Sequence, residues 1–334
     1  MEKITNIEPG EWELCNKYNR DIVDEYISMS PQLSIQTKKI YTSNLKIWFN
    51  WVRLNVKNKP QYEIRSIEYM KFQNWLIGLK HSSSDVSNKR AAISSLNNYI
   101  ELYYQEDYPM FRNFIKRGMP KPEMKHVHEK IPPTREEMDH LLAVLLEREE
   151  WEKIAYLKYT FDTGCRRAES VQLLKEVVDY KPIVKKKKIK DENGDMQEYT
   201  VKYYFSNETR CKGRGETGKV RKLTFSQDTM DAIKKWLEVR GEDDCPYVFT
   251  SVRKGEVKQI SLSGLNRWSA TTFSNIVGRR INPHIFRAAK ATISVVEEGK
   301  SIESVQHLLG HESSATTEIY IVNDNDDSID ELFI

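Results

Sequence analysis

Four cysteines in 334 residues, none in a CxxC pair and none near a histidine at metal-ligand spacing, leave neither a disulfide framework nor a zinc-type ligand set. Cys15, Cys165, Cys211 and Cys245 read instead as reduced thiols of a cytoplasmic protein. No apolar run approaches the ~20 residues of a membrane span. The opening Met1-Glu2-Lys3-Ile4 lacks the basic-then-apolar plan of a secretory signal, and no internal repeat is visible. A strong charge of one sign is also missing: the net charge is +3. Its distribution is more informative. Residues 1–120 and 121–320 each carry a small basic surplus, whereas 321–334 holds five acids (Asp324, Asp326, Asp327, Asp330, Glu331) and no base. Two mildly basic domains with an acidic tail permit nucleic-acid binding without requiring it; the bases would have to cluster on one face.

What is present is an ordinary globular composition, 39% hydrophobic and 30% charged, in a chain long enough for two domains. The first third has helical periodicity. From Ser34, the residues Ile40, Tyr41, Leu45, Trp48, Phe49 and Val52 share one face; a second helix opens at Ser66, and a third begins near Asp85 and runs through Ile93, Leu96 and Ile100. Residues 117–133 contain four prolines, many charges and no amphipathic period, as an interdomain linker would. Thr134-Arg135-Glu136-Glu137 then forms a capping box that opens a new domain. Within it, 176–225 changes to strand-like segments at Ile183-Val184, 199–205 and 220–224, broken by turn signals. Helical patterns return at 227–240 and from 284 to about 320. The expected fold is mainly α with a small antiparallel sheet (α+β). Its parts are a helical domain over 1–118, a linker over 119–133, a second domain over 134–322 and an acidic tail over 323–334. The run Lys185–Lys188 reads first as a solvated edge strand and second as a DNA-facing patch.

Breaking a DNA strand without metal or nucleotide requires a nucleophile, positive charge on the phosphate and a proton donor for the leaving oxygen. Arginine suits the phosphate because its planar fork donates two parallel hydrogen bonds and stays charged. The second domain offers such groups in order. Arg166 and Glu169 lie three apart in Thr163-Gly164-Cys165-Arg166-Arg167-Ala168-Glu169, and Lys212 lies in a Gly-rich loop between strand-like segments. His284 and Arg287 follow Pro283 at i, i+3; His311 follows Leu309-Gly310, and Tyr320 comes nine residues later. Each alone reads more simply as a surface, capping or packing residue. The ordered set carries the inference.

That set resembles the signature of the tyrosine recombinases: TGxRxxE, a lysine in a β-hairpin, HxxR, then LGH with a tyrosine nine residues on, the stretch 308–320 (LLGHESSATTEIY) being especially similar to phage integrases. The resemblance spans both domains and implies that 1–118 is a helical core-type DNA-binding domain and 134–322 the catalytic domain. It implies a site-specific DNA recombinase in which Tyr320 attacks the scissile phosphate to form a 3′-phosphotyrosine. Arg166 and Arg287 would hold the non-bridging oxygens, Lys212 would protonate the leaving 5′ oxygen, His284 would move protons to and from the tyrosine, His311 would bond the phosphate, and Glu169 would orient the site. It implies no cofactor and no metal, with double-stranded DNA as the partner, a homo-oligomer on DNA (a tetramer in synapsis), DNA-bending accessory proteins and a cytoplasmic, nucleoid-associated location. Lys38, Lys39, Lys89 and Arg90, near helix starts in the first domain, are the candidate DNA contacts, chiefly to phosphates.

Ala288 and Ala289 after Arg287, and Ser170 after Glu169, depart from the usual pattern of the family without removing a catalytic group. They leave a second reading open, a DNA-binding regulator of a phage or mobile element that kept the recombinase fold but not recombination. The recombinase-like first domain and the His-to-Tyr spacing count against a third reading, a type IB topoisomerase.

Overall fold

A computed structural model describes residues 6–115, 118–120, 122–123, 131–190, 196–211, 213, 215 and 218–310. The chain divides into two compact units, Met1–Glu129 with Gly213–Gly218, and Lys130–Lys212 with Lys219–Ile334. The division at 129/130 falls inside the proline-rich stretch read as a linker. The tail at 323–334 lies outside the described residues.

The first unit is helical: Pro9–Glu13, Lys17–Ser28, Ile35–Asn55, Ser66–Gly78 and Ser83–Tyr103. The serine that begins the first periodic run caps its helix, the Ser34 side chain accepting the Thr37 N–H at 3.2 Å. Trp48, Phe49, Tyr69, Phe72, Leu96 and Ile100 are buried in one core, as their spacing predicts. A polar chain crosses that core: Trp48 donates from Nε1 to Gln61 at 2.9 Å, and Gln61 donates to Asn97 at 2.6 Å, which satisfies groups that would otherwise be costly to bury.

The second unit begins at the expected capping box, Thr134 Oγ1 accepting the Glu137 N–H while Glu137 accepts the Thr134 N–H, and continues as the helix Arg135–Glu147. Trp151–Thr163 is its central helix; Tyr156 and Tyr159, fully buried, pack on Phe225, Phe249 and Phe273. Ile183–Lys190, Met196–Phe205 and Thr224–Phe225 form one antiparallel sheet in that order, and Thr209–Cys211 pairs with Lys219–Arg221. Gln227–Arg240 packs beside the central helix. A hairpin, Thr250–Arg253 with Glu256–Gln259, and the helical stretch Leu262–Val277 follow; neither was anticipated. The fold class is as expected, mainly α with small antiparallel sheets.

Two helical stretches contain a π turn, Ser269–Phe273 and Ile293–Glu297; the latter continues the helix Ile285–Thr292 that carries Arg287. Ala288, Ala289 and Ala291 on that helix are buried, and the helix lies against Trp151–Thr163. Methyl-sized side chains suit a close helix–helix approach, which gives Ala288 and Ala289 a packing role.

Candidate active site

The central helix ends at Gly164, whose φ of +55° is the left-handed conformation that closes a helix. A side chain there is excluded twice, by backbone strain and because a Cβ would run into Leu309. The reversal lets the chain restart at Arg166, which caps the short helix Arg167–Ser170. Arg166 and Glu169 close on each other: the Arg166 backbone N–H and Nη1 each donate to the Glu169 carboxylate at 3.0 Å. The three-residue spacing seen in the sequence is therefore a reciprocal clasp, with the Glu169 side chain 1% exposed and that of Arg166 29% exposed. Burial alone would push the Glu169 carboxyl up. The N–H and guanidinium of Arg166 and the charge of Arg221 outweigh it and hold the group below the usual carboxylate range.

Arg287 is fully buried. Its Nη1 donates to the Gly164 carbonyl at 2.6 Å and its Nη2 to the Leu309 carbonyl at 2.8 Å. One guanidinium thus joins the Thr-Gly-x-Arg turn to the end of the helix Ile302–Leu309, which Gly310 closes at φ +66°. His284 sits half-buried at the start of the Arg287 helix, its backbone N–H donating to Asn282 Oδ1 at 3.1 Å. Lys212, His311 and Tyr320 lie outside the described residues. Their described neighbours are Cys211, at the end of a strand, and Gly310.

Sequence reasoning missed Arg221, which links those neighbours. Its Nε donates to Cys211 Sγ at 3.2 Å, its Nη1 to the Leu308 carbonyl at 2.9 Å, and its Nη2 lies 3.5 Å from Glu169. The signal was weak, one arginine among several in a basic hairpin. Only its register, opposite Thr209 two residues before Cys211, places it beside the site. Cys165 is also in this cluster, but burial pushes its thiol up to about 12, so it is no nucleophile near neutral pH.

The four candidate DNA contacts of the first unit separate into two pairs. Lys38 and Lys39, in the first turn of Ile35–Asn55, line an open cavity of about 500 Å³ with Thr42, Ser43 and Lys46. Lys89 and Arg90, the other two candidates, turn inward from their helix instead. Both are buried; Lys89 is ion-paired to Asp85 at 2.6 Å, and Arg90 donates to the Pro120 and Met119 carbonyls at 3.0 and 3.3 Å. Their positions on Ser83–Tyr103 fall on its buried side, where a charged group persists only with partners. No group of side chains among the described residues could hold a metal ion, and no described helix is long and apolar enough to cross a membrane.

Known proteins resemble this chain in sequence and in fold. Residues 134–326 match the model of the phage integrase family. Over 99% of the chain and 96% of the relative, 31% of residues are identical to the SPbeta prophage-derived recombinase-like protein YomM of Bacillus subtilis (strain 168). The tyrosine recombinase XerC of Oceanobacillus iheyensis is 24% identical over 90% of each chain. Among solved structures, a post-cleavage complex of the XerH site-specific recombinase bound to a palindromic difH substrate shares the fold at 17% identity and a TM-score of 0.64, covering 99% of this chain and 97% of that one. A lambda integrase dimer bound to a core site does so at 15% identity and 0.57, covering 89% and 96%. The chain belongs to the phage integrase family, the tyrosine recombinases.

Proposed function

We propose that the chain is a site-specific DNA recombinase that cleaves and rejoins double-stranded DNA through a 3′-phosphotyrosine on Tyr320. The observation that carries this reading is the double anchoring of Arg287 on the Gly164 and Leu309 carbonyls. It draws the turn carrying Arg166, the helix carrying His284 and the turn leading to His311 into one cluster. Arginine forks fixed by backbone carbonyls and by a buried carboxylate are oriented before substrate arrives. Such preorganised charge stabilises a phosphate as negative charge builds on it.

In this reading Arg166 and Arg287 neutralise the non-bridging oxygens, with Glu169 holding Arg166 in register, and His311 donates to the same phosphate. Tyr320 loses its proton to His284 as its oxygen attacks phosphorus, and the 5′ oxygen leaves with a proton from Lys212. The phosphotyrosine keeps the energy of the phosphodiester, so the 5′ hydroxyl of a partner strand can reverse the step without ATP. Strand exchange between two duplexes requires four active sites, hence a tetramer assembled on DNA, with accessory proteins bending the duplex where the sites lie apart. Lys38 and Lys39, with Lys46, supply phosphate contacts from the first unit.

Covalent trapping tests the proposal. Wild type and Tyr320→Phe are incubated with labelled suicide substrates, nicked near the cleavage point and tiled across the DNA flanking the chain's own gene. An SDS-resistant adduct with wild type alone is the expected result. Tight binding with no adduct would make the chain a DNA-binding regulator on the recombinase fold.

A further inference from the structure

The strands Ile183–Lys190 and Met196–Phe205 pair over eight consecutive rows, from Ile183 opposite Tyr203 to Lys190 opposite Met196. Only the last two residues, Tyr204 and Phe205, also pair with Thr224–Phe225. Every residue from Met196 to Lys202 is exposed, so the ribbon stands off the second unit by roughly 25 Å at ~3.4 Å per residue. A two-stranded hairpin is marginally stable in water without something packed on it. Yet Val184 and Met196, each 58% exposed, Tyr199, 43%, and Val201, 36%, are held in the open.

Strand alternation sorts these residues into two unlike faces. Ile183, Lys185 and Lys187 share one with Tyr199, Val201 and Tyr203. That face carries no acid, and the Lys185 ammonium lies 5.9 Å from the centre of the Tyr203 ring. The opposite face carries Lys186, Lys188 and Lys202 with Val184, Thr200 and Glu198, and Lys186 is ion-paired to Glu198 at 2.8 Å, so only the first face combines lysines with tyrosines and no carboxylate. Lys185, Lys187 and Lys188 make no ion pair with any described residue.

We propose that the acid-free face of this ribbon, carrying Lys185, Lys187, Tyr199 and Tyr203, is a second DNA-binding surface that lies against duplex flanking the cleaved position. The inference takes from the proposed function only that duplex DNA is the partner. Unpaired lysines beside aromatic and β-branched side chains favour a polyanion over a protein, whose interface core would be depleted of lysine. A two-stranded ribbon is also of a width that the major groove admits.

The test uses the full chain and a labelled duplex of arbitrary sequence, with affinity measured from about 50 to 200 mM salt. K185Q/K187Q is compared with K186Q/K188Q on the opposite face. All four lysines are exposed, so both variants should keep the wild-type melting temperature. Each phosphate contact contributes about 0.9 to the slope of log K against log salt. The expected result is a slope shallower by about 2 for K185Q/K187Q and by less than half of that for K186Q/K188Q. Equal slopes for both variants would overturn the assignment. So would an unchanged K185Q/K187Q slope with weakened self-association in sedimentation, which would make the face a protein interface. Wild-type trapping on the suicide substrates separates the two proposals: a K185Q/K187Q slope loss in a chain whose wild type forms no adduct supports the ribbon while removing the recombinase reading.

Discussion

Arg221→Met isolates the residue that ties the hairpin to the rest of the site. Methionine keeps most of the aliphatic stem and removes three polar links: to Leu308 O at 2.9 Å, to Cys211 Sγ at 3.2 Å and to Glu169 at 3.5 Å. A charged donor to a carbonyl contributes about 1.5–3 kcal/mol. Removing one partner of a buried ion pair costs about 3–5 kcal/mol. Here the second figure shrinks, because Glu169 keeps Arg166 and because the Arg221 side chain is 23% exposed. A total near 3 kcal/mol follows, or a melting temperature lower by roughly 6–12 °C for a unit of this size. The assay is calorimetry on the full chain, combined with a double-mutant cycle against Glu169→Gln. Coupling of at least about 1 kcal/mol is expected, since the two side chains share one ion pair. Coupling below about 0.5 kcal/mol would refute the account and leave Arg221 a surface residue. Arg221→Lys should recover little, because one ammonium cannot reach three acceptors that a fork spans. On the proposed recombinase reading, adduct formation should fall at a temperature where both proteins are folded, because Arg221 holds the Leu308 carbonyl beside the Gly310 turn.

Gly164→Ala should destabilise the second unit by about 3 kcal/mol in urea titration, combining a left-handed backbone that alanine resists with overpacking against Leu309; a cost under about 1 kcal/mol would mean that the turn relaxes freely. Glu152→Gln tests a carboxyl that accepts the Thr250 N–H at 2.6 Å. Burial, opposed by the Thr250 N–H and the Arg240 charge, raises it to about 7 from an ordinary 4.5. A carboxyl raised in the folded state contributes stability that is fully present below about pH 4.5 and is lost as pH rises through about 7. At ~1.4 kcal/mol per pH unit, discounted for a half-buried group, the loss is about 2 kcal/mol. The variant should therefore match wild type near pH 5 and exceed it by that amount near pH 8; equal stabilities at both would show that Glu152 ionises normally.

The helices of the first unit were legible because their apolar period and caps agree: Ser34 is both the start of the pattern and the side chain that caps it. The hairpin Thr250–Arg253 with Glu256–Gln259 was not, because its strands are four residues each and expose Val252, so no alternation marks them. The local pattern also gives no sign that Lys89 and Arg90 are buried. A charged residue near a helix start reads as solvent-facing, and nothing local indicates that Asp85, one turn earlier, and the carbonyls of Met119 and Pro120 will receive them. Long-range partners of this kind are set by how distant segments pack, which a local pattern does not encode.

The same distinction separates the legible part of the site from the rest. Arg166 with Glu169, and His284 with Arg287, are spacings that a helix turns into neighbours, so sequence alone could pair them. What joins the pairs is backbone: the carbonyls of Gly164, Leu308 and Leu309, which any residue could supply and which therefore leave no trace in residue type. Their traces are the glycines. Gly164 is needed where the chain turns beneath Leu309, and Gly310 where a Cβ would come within 2.6 Å of Arg221 Nη1. Both sit beside a carbonyl-bearing position, in a conformation that other residues resist. The Thr-Gly and Leu-Gly pairs that drew attention as motif letters thus have a physical function: they let two turns approach close enough for two arginines to bridge them. It follows that a β-branched residue at either glycine would damage the site more than loss of any single hydrogen bond within it, because it would part the turns that the arginines hold together.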